Sequence, residues 1–302
     1  MLAAILPVFL IVMLGVVIRQ SGWLPLTFFA GAEKFSFCIA FPALLFLATA
    51  RLDFSGSVAW QLALGTLLPG AAVVLLTVAG LRLAHGLPAP SRSSVLQGAL
   101  RPNSYFGLAV ASLFFAPAEA SLLALALCLP VVNLVAVVAL SWWGGRQPDF
   151  RQVLWAIARN PIILATLAGL CWGRLGLALP PPLVATLDIL GRSALCLGLL
   201  CVGGGLVFAW GGQRPVVLLL TSALKLVLMP ALALLLGHWL ALPAPVVLVA
   251  CFYCALPTAP NAYIMAHQMG GDAPLMASLI TVQTLLAAVS VPWWVALAGT
   301  TG

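Results

Sequence analysis

Two short polar strings of the same pattern interrupt otherwise apolar stretches of this chain. The first is Pro102–Tyr105 (PNSY) and the second is Pro260–Tyr263 (PNAY), with the two asparagines 158 residues apart. A proline donates no hydrogen bond to a helix and clashes with the preceding turn, so each string predicts a helix break. Within hydrocarbon, freed backbone groups are tolerated only where protein or a water-filled cavity satisfies them. Paired interruptions in two halves of a chain indicate the binding site of a transporter.

The residue types at both breaks suit the binding of an anion. If two helices break at mid-depth and cross, two half-helix N-termini face one site, and each carries about half a positive charge. Exposed N–H groups at such termini form a natural anion seat. Asparagine amides and tyrosine hydroxyls would add hydrogen bonds, the prolines would shape the breaks, and an arginine would supply charge. The predicted substrate-binding residues are therefore Arg101, Pro102, Asn103, Tyr105, Pro257, Thr258, Pro260, Asn261 and Tyr263.

The alternative for both breaks is a pair of structural kinks that neighbouring helices satisfy. Asn133 and Gln283 are polar residues in the middle of two other apolar stretches. Interhelical hydrogen bonding explains such residues better than ligand contact does. We therefore assign both to the support of the predicted site.

Arg101 and Lys225 both lie far from the ends of their apolar stretches. A charge at mid-membrane depth costs roughly 2.5–3.5 kcal/mol on insertion scales, so it usually faces a cavity or a partner. Arg101 either attracts a carboxylate substrate or extends along the helix to the cytoplasmic surface. Lys225 is either a second cationic contact or the charge partner of Asp53 or Asp188.

Residues for catalysis or metal binding do not cluster in the sequence. The three histidines are scattered, the seven cysteines lie in apolar segments, and no nucleotide-binding loop occurs. The chain is therefore expected to be no enzyme, with no catalytic residue, metal or cofactor. No carboxylate falls at mid-depth, where Na⁺ or H⁺ relays are usually built. Coupling to either ion is thus not supported, although unwound carbonyls alone could hold Na⁺.

Composition places the chain in a lipid bilayer. It is 64% hydrophobic and 6% charged, whereas soluble domains are about 45–50% apolar and about 25% charged. The net charge of +7 comes from single Lys and Arg residues at the ends of apolar runs. This distribution follows the positive-inside pattern of membrane proteins and indicates no binding of nucleic acid.

Ten transmembrane spans are predicted, because a span needs about 20 apolar residues. Five lie in a first repeat, 1–143, and five in a second repeat, 160–302; the more polar residues 144–159 connect them. The predicted spans are 2–18, 34–50, 58–81, 94–115 and 119–143, then 160–178, 184–209, 215–240, 246–267 and 273–298.

The two repeats are related in sequence and should be inverted in the membrane. Pro7 and Gly15 are eight residues apart, as are Pro161 and Gly169. An odd number of spans per repeat makes the second repeat start on the opposite side. Placing the N-terminus outside leaves eight Lys and Arg in cytoplasmic loops against two outside. Both termini are therefore expected outside, and the central connection in the cytoplasm.

Four strings together carry a family resemblance: Pro102–Asn103, Arg159–Pro161, Leu256–Tyr263 and Gly270–Asp272. With the ten spans, they resemble the auxin efflux carrier family of prokaryotic transporters. That family is related to plant auxin carriers and to the bile acid/sodium symporter fold. The resemblance implies a scaffold of spans 1, 2, 6 and 7 and a mobile core of spans 3–5 and 8–10. It also implies that the fourth and ninth helices cross at the substrate site, whereas the charge of Arg101 departs from the family pattern.

The leading hypothesis is a secondary active transporter for a small organic anion, such as a carboxylate, that works by elevator-type alternating access. Its expected surroundings are the lipid bilayer of the bacterial cytoplasmic (inner) membrane, and a homodimer is left open. Two other hypotheses remain. One is a sodium-coupled symporter of the bile-acid-symporter type, and the other is a membrane sensor that does not transport.

Overall fold

The structure is a computed structural model that describes residues 2–51, 57–84, 86–114, 119–143, 158–206 and 215–300. Regular structure in these ranges is helical throughout, which confirms the all-α prediction. Most of the predicted central connection, and Asp53, lie outside the described residues. The helices are α1 (Leu2–Ser21), α2 (Leu26–Ala50), α3 (Ser57–Leu83), α4 (Ala89–Leu100), α5 (Ser104–Phe114), α6 (Glu119–Trp143), α7 (Pro161–Arg174), α8 (Pro181–Gly205), α9 (Pro215–Trp239), α10 (Ala244–Cys254), α11 (Asn261–Met269) and α12 (Ala273–Thr300).

The helices have the length and composition of a multi-pass membrane protein. By these two criteria, α2, α3, α8, α9 and α12 could each cross a membrane, and shorter apolar stretches lie in α1, α6, α7 and α10. Large apolar side chains such as Leu75 and Ile189 are exposed on the outer surface. Lipid is the solvent in which such a surface is stable. Ten spans in two inverted repeats remain a prediction.

Helices are interrupted at both polar strings. α4 ends at Leu100 and α5 begins at Ser104, while α10 ends at Cys254 and α11 begins at Asn261. Arg101, which precedes Pro102, has extended backbone angles (φ −74°, ψ 119°). A residue before proline is pushed out of the helical region by the proline ring. The proline pattern thus ends the helix where the sequence predicts.

Two pairs of helices pack closely in the same way, α1 on α8 and α7 on α2. In the first pair the glycine belongs to the first repeat, and in the second pair it belongs to the second repeat. A Cβ atom on Gly15 would clash with the carbonyl of Leu200, and one on Gly169 with the carbonyl of Phe46. The two contacts are related by an offset of 154 residues, which takes Gly15 to Gly169 and Phe46 to Leu200. A two-fold relation between the halves produces this exchange, so the packing supports the predicted inverted repeat.

The contact between α8 and α1 allows a test of this packing. Gly203→Ala should destabilise the protein by roughly 1–3 kcal/mol, because its new methyl group would overlap the carbonyl of Val12. The control is Gly80→Ala in α3, where a methyl group would meet no atom within 4 Å. Thermal unfolding in detergent should separate the variants, and equal melting temperatures would contradict the close approach of α1 and α8.

Candidate functional site

The break after α4 leaves a carbonyl that residues from other helices satisfy. Pro102 has no N–H to donate to the carbonyl of Gly98, four residues earlier. The Thr258 hydroxyl lies 2.9 Å from that carbonyl oxygen, and the Gln283 amide donates to it from 3.0 Å. The backbone N–H of Thr258 donates to Gln283 Oε1 at 3.0 Å. Thr258 and Gln283, both fully buried, therefore tie α4 to the second break and to α12.

Asn103 joins the two breaks through its backbone and caps α5 with its side chain. Its N–H donates to the carbonyl of Pro257 at 2.7 Å. Its Oδ1 accepts from the N–H of Phe106 at 3.1 Å, as an N-cap residue does. Its Nδ2 is buried and has no hydrogen-bond partner among the described residues. The Asn103 side-chain NH₂ group is thus a hydrogen-bond donor beside the break without a partner in the described residues.

A recess lined by both polar and apolar side chains lies beside the breaks, and its volume is about 420 Å³ when the open space at its mouth is counted. Two helices of the predicted scaffold, α2 and α7, contribute lining residues. The first break and α5, α6 and α11, which belong to the predicted core, contribute the others. The lining residues are Phe37, Phe41, Arg101, Ser104, Tyr105, Asn133, Asn160, Ile162, Ile163 and Asn261. Arg101, Tyr105, Asn133 and Asn261 are thus the predicted residues that the structure brings together here.

Three helix N-termini meet at this recess. Ser104 begins α5 and Asn261 begins α11, while Asn160 precedes the first residue of α7. The sequence places the first two of these termini at one predicted site, but it does not bring the third to that site. N-terminal N–H groups and aligned peptide dipoles make each terminus favourable for negative charge. Asn261 Oδ1 is buried and has no partner in the described part of the chain.

Arg101 is the charged residue of the recess. It is 5% exposed, so its side chain does not extend to the protein surface as the alternative interpretation requires. Its Nη1 lies 2.8 Å from Met265 Sδ. Within the described ranges it forms no ion pair, and Glu33 acts on it only electrostatically at longer range. A buried guanidinium without an acid in contact is available to a carboxylate, which it can bind through two hydrogen bonds.

The remaining predicted residues lie outside the recess lining. Pro102, Asn103, Pro257 and Thr258 are at the junction of the breaks, and Pro260 packs near Gly205 of α8. Tyr263 is 41% exposed and stacks on His267 of its own helix.

Lys225 lies in α9, fully buried, and also outside the recess lining. It donates to the carbonyl of Leu100. Asp188, one of the two acids considered as a charge partner of Lys225, binds Arg192 instead at 2.7 Å.

Asn160 and Ser104 are recess residues that the sequence prediction missed. Asn160 Oδ1 accepts from the N–H of Ile162 at 2.9 Å, which makes Asn160 the N-cap of α7. An asparagine directly before an N1 proline signals this cap in the sequence. Its place beside α5 and α11 depends on tertiary packing, which the local pattern does not contain.

Part of the sequence matches the model of a known protein family. A family model described as a membrane transport protein, of the auxin efflux carrier type, matches residues 148–295. The match runs from the central connection into α12 and includes the second break. A comparison with curated proteins finds no match.

The Thr258 hydroxyl, which lies 2.9 Å from the Gly98 carbonyl oxygen and 2.7 Å from Gln283 Oε1, predicts a stability effect. Thr258→Val keeps the volume but removes the hydroxyl donor, and it should lower the free energy of unfolding by about 1 kcal/mol. Thr186→Val is the control, because the exposed Thr186 hydroxyl only donates to Pro182 of its own helix. Thermal unfolding of both variants measures the difference. A Thr258→Val protein as stable as the wild type would show that Gln283 alone satisfies the carbonyl.

Proposed function

We propose that this chain, whose residues 148–295 match a family model of membrane transport proteins of the auxin efflux carrier type, is a secondary active transporter for a small organic anion. The observation that carries the proposal is Arg101, a buried cation that has no ion pair within the described residues and lines the recess. A charge of this kind is expensive inside a membrane unless a partner compensates it. The substrate is the compensating partner.

The hydrogen-bonding groups of the recess favour a carboxylate. Arg101 offers a planar guanidinium, and the side chains of Ser104 and Tyr105 offer hydroxyl donors. Asn133, Asn160 and Asn261 add amides that can donate to carboxylate oxygens. The positive ends of α5, α7 and α11 add to the attraction. A neutral or cationic substrate would leave Arg101 with only the longer-range influence of Glu33.

The position of the recess supports elevator-type alternating access. α2 and α7 belong to the scaffold with α1 and α8, and the close glycine contacts of α1 with α8 and of α2 with α7 make that unit rigid. The breaks, α6 and α11 belong to the core. A substrate held between the two units changes its access when the core moves against the scaffold.

The distribution of lysine and arginine residues determines the orientation that we propose for the protein in the membrane. With both termini outside, Asn160 follows the cytoplasmic connection, so the recess opens to the cytoplasm. The membrane is the bacterial cytoplasmic (inner) membrane.

The first test measures anion binding by purified protein in detergent. Acetate, benzoate, succinate and citrate are screened by thermal shift, with chloride and sulfate as inorganic controls. At a concentration of about 100 times its Kd, a ligand stabilises the folded state by about 2.7 kcal/mol. At least one carboxylate should raise the melting temperature of the wild type, Arg101→Gln should remove the response, and Arg101→Lys should retain part of it.

Arg192→Gln serves as the matched arginine control, because Arg192 is exposed and pairs with Asp188 away from the recess. It should respond like the wild type. A wild type that responds to no anion would favour the sensor hypothesis. A full response by Arg101→Gln would remove Arg101 from the binding site.

The second test uses the cap residue of α7. Asn160→Asp keeps the oxygen that caps Ile162, but it places a negative charge at the recess. Uptake of the carboxylate found in the screen should fall at least tenfold in proteoliposomes, with the protein still folded. Asn160→Ser keeps a cap without the charge and should transport much better. Equal rates for the two variants would place the anion away from Asn160.

A further inference from the structure

Lys225 is a fully buried ammonium that binds the end of a helix rather than an acid. Its Nζ donates to the carbonyl of Leu100 at 3.2 Å and lies 3.3 Å from Met229 Sδ. Over the described ranges it forms no ion pair. The titratable side chains that act on it electrostatically are the thiols of Cys254 and Cys128. Within the described residues, the groups in contact with its charge are therefore a carbonyl and a thioether.

The end of α4 needs a cation or a donor at this point. The last carbonyls of a helix have no partner within it, and together they carry about half a negative charge. Thr258 and Gln283 satisfy Gly98, and Lys225 satisfies Leu100. In transporters with broken helices, such unwound carbonyls and half-helix C-termini coordinate Na⁺ or H⁺. The Lys225 ammonium lies in the same chemical position.

The backbone around Lys225 is specialised for this contact. α9 contains a π-helical turn at Leu224–Leu228, which includes Lys225. Such turns insert an extra residue, redirect the side chains and occur frequently at functional sites. Pro69 and Pro230 occupy corresponding places in two spans, 161 residues apart, so the counterpart of Lys225 is Leu64. α3, which carries Leu64, is α-helical throughout. Both the cation and the π-helical turn therefore occur in only one of the two corresponding helices.

We propose that the Lys225 ammonium is a tethered substitute for an alkali cation at the C-terminal end of α4. Lys225 is a positioning residue: it holds Leu100 and, through the chain, Arg101 next to the recess. The protein therefore needs no Na⁺ to order its anion site. This proposal rests on the geometry around Leu100 and does not depend on which anion is carried.

The test is chemical rescue of a cavity variant, measured by thermal unfolding without any substrate. Lys225→Ala removes the ammonium and leaves a cavity at the carbonyl of Leu100. In a buffer whose cation is N-methyl-D-glucamine, which is too large for that cavity, the melting temperature should fall by roughly 5 °C. Na⁺, K⁺, ammonium or methylammonium at equal ionic strength should restore a substantial part of the loss.

Two further variants separate charge from packing. Lys225→Met fills the same space without a charge, so it should be destabilised and should not respond to any small cation. Lys225→Arg keeps a cation and should be closer to the wild type. The wild type should have the same melting temperature in sodium and N-methyl-D-glucamine buffers.

Three outcomes would overturn the proposal. They are a wild type stabilised specifically by Na⁺, a Lys225→Ala protein that no small cation stabilises, and a Lys225→Ala protein that cannot be obtained folded in any of these cations. Because no anion is present, each outcome leaves the proposed transport function to be judged by the binding and uptake measurements.

Discussion

The pairing of the carbonyls freed after α4 is the constraint on which the rest of this structure depends. Lipid offers no hydrogen bond to an unpaired backbone group, so a break inside a membrane is stable only where protein supplies the partners. Here the partners come from three distant places: Thr258 at the second break, Gln283 in α12 and Lys225 in α9. The break therefore fixes how the core helices pack, and the packing fixes where Arg101 lies.

The same constraint keeps the negative end of α4 away from the recess, at which the positive ends of other helices lie. The negative end of α4 is directed into the protein, where an ammonium and neutral donors satisfy it. The positive ends of α5, α7 and α11 instead meet at the recess, where Arg101 adds a full charge. An anion in the recess would therefore meet positive helix ends and a guanidinium, while the carbonyls that would repel it already have partners.

The sequence predicts the breaks well because their cause is local. Pro102 and Pro260 lie where helices are interrupted. The sequence leaves Arg101 either facing a cavity or extending to the surface, and the structure buries it. The partners of the breaks are set by tertiary register, which local patterns do not encode. Tyr105 and Tyr263 occupy equal places in the repeated string. α5 packs on α1 and α8, which buries Tyr105, whereas Tyr263 on α11 is exposed.

Comparing the two halves of the sequence identifies the site residues that occur in both, but not those that occur in only one. An asparagine lies beside the break in each half: Asn103 is buried and Asn261 is half-buried, and each has one buried amide atom without a partner among the described residues. The two cations do not repeat: the counterparts of Arg101 and Lys225 are Ala259 and Leu64. Two identical halves would still build a symmetric pocket with amides and two positive helix ends, but it would lack a full charge. The shape of the site and its positive helix ends thus follow from what the halves share, and the full charge of Arg101 beside it comes from a position in which they differ.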